Sequence, residues 1–141
     1  MDAILVGTDG SPGAGAAVQK VIELARTSGA TIHLVCAYPG KSALERIGMT
    51  ARQEPADLRG VAADLLARGE RRLKEAGFAV EKYAREGDPA QTIIDVAGDT
   101  AADLIVIGAH GNTGMRRFML GGVAGKLAHH APRSLLIVRE D

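Results

Sequence analysis

Apolar residues fall along this chain in short blocks, and between the blocks they recur at helical spacing. Ala3–Thr8 is a short apolar run of the length of a buried strand, broken by Asp9-Gly10-Ser11-Pro12. Ser11 is placed to cap a helix whose first residue is Pro12, where a missing N–H does no harm. Ala17, Val18, Val21, Ile22, Leu24 and Ala25 give that helix an apolar face, and Gly29 ends it. Thr31–Ala37 reads as a second strand, apolar on both faces apart from His33. From Pro39 to Pro55 there is no clear period, which predicts a long connection that is either mobile or a lid over a site.

A second long helix follows, with Leu58, Ala62, Leu65, Leu73 and Ala76 on one face and Gly77 as its stop. Gly60 and Gly69 lower its local stability, so it depends on tertiary contacts. Phe78–Ala84 is the third strand, and Glu81 and Lys82 within it point to a sheet edge. Asp88 is a cap and Pro89 a first residue for a third helix that turns Ile93, Ile94 and Ala97 inward. Leu104–Ile107 is short and β-branched, the pattern of a fully buried central strand. A fourth helix runs to His130, Pro132 ends it, and Ser134–Val138 is the last strand.

Strands alternating with helices call for an open parallel sheet with helices on both faces. In such sheets ligands bind beyond the carboxyl ends of the strands, where the winding reverses. Asp9, the main chain near Ala37, Gly87 and the Gly108–Gly122 loop all stand at strand carboxyl ends and can converge on one crevice. The loop carries Gly108, Gly111 and Gly114, then Arg116 and Arg117, then Gly121, Gly122 and Gly125. A strand, a glycine-rich turn and a helix amino end make an anion site, because the first N–H groups lack partners and the dipole is positive there. The plainer reading is a flexible loop whose glycines serve tight turns.

With 141 residues the chain has room for one domain and one core, so 1–141 is expected to fold as a unit. Lys plus Arg and Asp plus Glu balance at 17 each, which removes a general electrostatic reason to bind nucleic acid or an anionic membrane. Aromatics at 3% weaken any base-stacking surface. The lone cysteine, Cys36, has no internal partner, and this points to a reducing cytoplasm. No run reaches the ~18 consecutive apolar residues of a membrane span, and the first residues lack the basic region of an export signal.

The opening Val6-Gly7-Thr8-Asp9-Gly10-Ser11, the Gly87–Ile93 segment, Asp103–Gly111 and the closing His130–Val138 together resemble the universal stress protein family. The resemblance covers essentially the whole chain, with the pieces in the family's order and spacing. It implies a five-stranded sheet in the order 3-2-1-4-5, adenine-nucleotide alpha-hydrolase-like. It also implies a cytoplasmic stress-response protein, usually a homodimer. One branch of the family binds ATP through Gly, two residues, Gly, nine residues, Gly, then Ser or Thr. Gly108, Gly111 and Gly121 match that pattern, whereas Gly122 stands where the hydroxyl residue would be and Ala124 where a second is common.

The resemblance therefore implies a site for ATP or another adenine nucleotide, with or without Mg. Its residues are Thr8, Asp9, Ala37, Gly108, His110, Gly111, Gly114, Arg116, Gly121, Gly122 and Val123. Asp9 would hold the adenosine at the ribose, and the main chain near Ala37 the adenine edge. Asp9 also has a plain role as a turn residue, and Gly10 and Gly87 as backbone-geometry residues. His110 either donates to a phosphate or is a solvated loop histidine. Arg116 and Arg117 either neutralise phosphate or solvate the loop. Lys126 falls too far into its helix to be assigned to phosphate, and His129 and His130 suit the end of a helix dipole.

No catalytic residue is expected. The Walker pattern fails at Leu120 and Leu127, and no G-x-G-x-x-G fingerprint, G-x-S-x-G elbow or metal-ligand spacing is found. The leading reading is a regulatory protein whose nucleotide state alters its contacts with a protein partner. The alternative is a homodimeric stress protein that acts by protein–protein interaction without nucleotide, and a slow ATPase is the third. The apolar run Leu135–Val138 is the expected dimer seam, since the family order makes it an edge strand.

Overall fold

The computed structural model describes residues 1–49, 57–111 and 120–140. Strand β1 (Ala3–Gly7) leads through helix α1 (Pro12–Ala25) to strand β2 (Thr31–Tyr38). A short helix α2 (Lys41–Arg46) and a long helix α3 (Leu58–Glu75) precede strand β3 (Val80–Glu86). Helix α4 (Pro89–Thr100), strand β4 (Leu104–Gly108), helix α5 (Gly122–His130) and strand β5 (Ser134–Val138) complete the chain. All pairings are parallel, in the order β3-β2-β1-β4-β5. β1 is central, with Ile4 in register with Ile32 on one side and with Leu104 on the other.

Each strand feeds both faces, as a doubly covered sheet requires. Ile4, Val6, Ile32, Leu34 and Val106 pack on one side with Val18 and Val21 of α1 and Leu66 and Leu73 of α3. Leu5, Val35, Ile105 and Ile107 pack on the other with Ile93 and Val96 of α4 and Leu127 of α5.

The caps fall where the side-chain chemistry puts them. Ser11 Oγ accepts the Ala14 N–H at 3.2 Å, and Asp88 Oδ2 accepts the Gln91 N–H at 3.0 Å, each just before a proline. Gly29 and Gly77 stop their helices with φ of 67° and 94°. The third strand begins two residues later than expected, because the Phe78 N–H still bonds back to Leu73 O at 3.1 Å. Its Glu81 and Lys82 do lie on an edge strand.

Other details depart from the expectations. Leu24 is 55% exposed, at the margin of the α1 stripe in its last turn, and Ala76 is exposed at the end of α3. Leu66 fills the core position beneath α3, while Leu65 turns sideways onto Gly10. Gly69 is buried where a Cβ would lie 2.6 Å from Leu34, so it sets how closely α3 approaches β2. Six residues of the Pro39–Pro55 stretch form α2, and residues 50–56 lie outside the described residues.

Candidate functional site

The chain winds from β1 toward β2 and β3 on one side, then returns across the sheet to β4 on the other. The carboxyl ends of β1 and β4 therefore part at the switch point, and a cleft of about 410 Å³ opens there. That volume lies within the range of small-molecule sites, about 300–1,000 Å³.

One wall is the turn after β1. The Thr8 N–H donates to Val35 O at 2.9 Å, which ties the turn to β2. Asp9 Oδ1 accepts the Ser11 N–H at 2.9 Å, so the turn role foreseen for Asp9 is present. Its other oxygen faces Gly111, where a Cβ would lie 2.5 Å from Oδ2. A glycine at 111 is what allows the loop to approach this carboxylate.

The opposite wall is built from β4 and α5. The Ala109 N–H donates to Val138 O and the Gly121 N–H to Ala109 O, both at 2.8 Å. The second bond closes the loop at its base and returns the chain to the end of β4. Gly121 is the N-cap of α5, and among the described residues no side chain caps this helix. The first N–H groups of α5 thus face the cleft without a capping side chain, the condition for an anion site.

Thr8, Asp9 and Ala37 line the cleft from β1 and β2. Gly108, His110, Gly111, Gly121, Gly122 and Val123 line it from β4 and α5. Nine of the eleven residues expected from the sequence are thus brought together. Gly114 and Arg116 lie outside the described residues, as does Arg117. A Cβ at Gly122 would meet nothing within 4 Å, so the missing hydroxyl is not excluded by crowding. Gly108 has a second use, because a Cβ there would lie 2.7 Å from the backbone of Gly13. The first turn of α1 sits that close to the end of β4.

Sequence reasoning missed the α4 side of the site. Asp88, read as a cap, and Lys126, set aside as too far into its helix, both line the cleft. Lys126 Nζ stands 3.4 Å from Asp88 Oδ1. Asp88 is held below the usual carboxylate range, first by the Gln91 N–H, against the opposing effect of partial burial, with Lys126 adding to the lowering. The pairing could be suspected only once α4 and α5 were known to lie side by side on one face. Val35, Ile93 and Ile107 form an apolar floor that gave no sequence signal of its own.

Cys36 is buried beside this site, and its thiol is pushed up to about 11, by burial first and by the charge of Asp9 second. It therefore stays a protonated thiol at neutral pH, a packing group rather than a nucleophile. Among the described residues no group of three or more His, Cys, Asp or Glu could hold a metal ion. Among them, too, no helix is long and apolar enough to cross a membrane.

A parallel sheet of this order, cleft at its switch point, defines an α/β protein of the adenine-nucleotide alpha-hydrolase-like fold. The structure of MJ0577 superposes with a TM-score of 0.85 over 99% of this chain and 96% of that one, at 22% identity. The chain belongs to the universal stress protein family, whose model matches residues 1–139. Universal stress protein MJ0531 of Methanocaldococcus jannaschii is 27% identical over 97% of this chain and 81% of its own length. Three further universal stress proteins match over less than half of their own length. A universal stress protein in complex with cAMP superposes with a TM-score of 0.71 over 98% of this chain and 96% of that one, at 26% identity.

Proposed function

We propose that this chain binds an adenine nucleotide, ATP foremost, in the cleft at the switch point, and acts as a cytoplasmic stress-response regulator rather than an enzyme. One observation carries the reading: the Asp9 carboxylate and the uncapped amino end of α5 face one cleft across an apolar floor. A carboxylate suits ribose hydroxyls, an apolar floor suits a base, and helix N–H groups suit phosphate. The relative bound to cAMP supports the adenine half of the assignment. Magnesium, where it takes part, would enter with the phosphates.

Thermal denaturation tests the reading, because a ligand that binds only the folded state raises the melting temperature by mass action. Millimolar ATP is expected to raise it, and Gly122→Ser to enlarge the rise for ATP more than for AMP. The serine side chain has open space at the first residue of α5 and adds a hydroxyl toward the outer phosphates. One hydrogen bond to a charged group contributes ~1.5–3 kcal/mol, or roughly ten- to a hundredfold in affinity. No shift with ATP, ADP, AMP or cAMP would favour the interaction-only reading. That reading has its own support in Gly122, which leaves the phosphate end without the family's hydroxyl.

We assign the dimer seam to β5, the sheet edge opposite β3. Leu135, Leu136 and Ile137 there are only partly buried, and an unpaired apolar edge favours a two-fold partner. Light scattering at micromolar concentration should give twice the chain mass, and Ile137→Lys should halve it. A monomeric wild type, or a dimer indifferent to the lysine, removes this seam.

A further inference from the structure

We propose that Lys126 is the side chain that receives the phosphates of the bound anion, and that Asp88 is its resting partner, from which the anion takes it. The inference rests on the nucleotide reading above for the base end only; its own subject is the phosphate end. Among the described residues that line the cleft, Lys126 is the sole lysine or arginine. It stands on α5, four residues after Gly122, so its flexible stem starts from the helix whose amino end faces the anion. Its partner is a single carboxylate, 3.4 Å away, and the two side chains are 62% and 49% exposed. An exposed pair of that kind adds little to stability and is readily exchanged. A phosphate chain offers several charged oxygens in place of one carboxylate.

Asp88 is equipped to lose this partner. Its two oxygens have separate tasks: Oδ2 caps α4 through the Gln91 N–H at 3.0 Å, and Oδ1 faces Lys126. The cap is the largest influence holding the carboxyl below its usual range, and that bond does not depend on Lys126. Lys126 thereby supplies from the side chain what Gly122 lacks. The exchange also removes a side-chain link between α4 and α5, so phosphate occupancy would be felt at the surface of that face.

Calorimetric titration of wild type, Lys126→Met, Lys126→Arg and Asp88→Asn with ATP, adenosine and tripolyphosphate tests it. Lys126→Met should weaken ATP and tripolyphosphate about tenfold and leave adenosine unchanged, as loss of one charge-assisted contact predicts. Lys126→Arg should restore most of that loss. Asp88→Asn should tighten ATP severalfold with α4 intact, since asparagine caps as well as aspartate. ATP unchanged by Lys126→Met, adenosine weakened as much as ATP, or a wild type that binds neither ATP nor tripolyphosphate overturns the inference. Tripolyphosphate that binds through Lys126 while adenosine does not bind at all would sink the adenine reading and leave Lys126 in place.

Discussion

Gly108→Ala is expected to lower the melting temperature by roughly 5–10 °C, although it adds one methyl group. The new Cβ would lie 2.7 Å from both the carbonyl carbon and the oxygen of Gly13, main-chain atoms in the first turn of α1. A side chain could swing aside, but this backbone cannot move without dragging α1 off the sheet. Overpacking of this kind costs typically ~1–3 kcal/mol, which sets the shift for a domain of this size. Gly13→Ala should do the same from the other side, because its Cβ would run into the His110 carbonyl oxygen. Gly98→Ala is the control: it lies in α4 with nothing within 4 Å of its Cβ, and alanine there should stabilise by about 0.5–1 kcal/mol. Differential scanning calorimetry on the three variants decides the matter. A Gly108→Ala protein as stable as Gly98→Ala would mean that the contact between α1 and β4 is looser than described.

Gly111→Ala is expected to leave the fold standing and to weaken adenosine by roughly ten- to a hundredfold. Its Cβ would lie 2.5 Å from Asp9 Oδ2, so the carboxylate has to turn away from the cleft. Turning strains the 2.9 Å bond from the Ser11 N–H to Oδ1, which fixes the carboxylate's direction. Losing one hydrogen bond to a charged group costs ~1.5–3 kcal/mol, the source of that range. Asp9→Ala should weaken adenosine by a similar factor, and the double variant little further, since both changes act through one carboxylate. Titration with adenosine closes this cycle. Additive losses would place the effect of Gly111 somewhere other than Asp9.

Much of this architecture is legible in the chain because its signals are local. Ser11-Pro12 and Asp88-Pro89 start helices by side-chain chemistry that needs no tertiary partner, and both caps form as read. The strand order came from family resemblance rather than periodicity, which cannot say which apolar runs are neighbours. Eight of the site residues are glycines or strand-end residues that topology alone brings to one crevice, and Val123 follows them into α5. What stayed hidden depends on contacts between distant segments. Leu65 and Leu66 are adjacent and equally apolar, and only the approach of α3 to β2 decides which one is buried. Gly69 looks like a weakness in a helix until Leu34 is seen against it. Lys126 and Asp88 are 38 residues apart, and each has an innocent local reading as a solvated lysine or a cap.

The central place of β1 also shapes how the protein can be made. Ile4 pairs with Ile32 on one side and with Leu104 on the other, so one edge of β1 can be satisfied early in synthesis and the other only about a hundred residues later. A nascent chain that has finished β1, β2 and β3 can zip those strands in sequence. Its innermost strand then serves as an open edge, ready to template a neighbouring chain. Translation speed between β3 and β4 thereby sets how long the ribosome-bound half is exposed to misassembly. A long-range pairing of this kind also slows folding, because the closure entropy is spent before the contact returns anything.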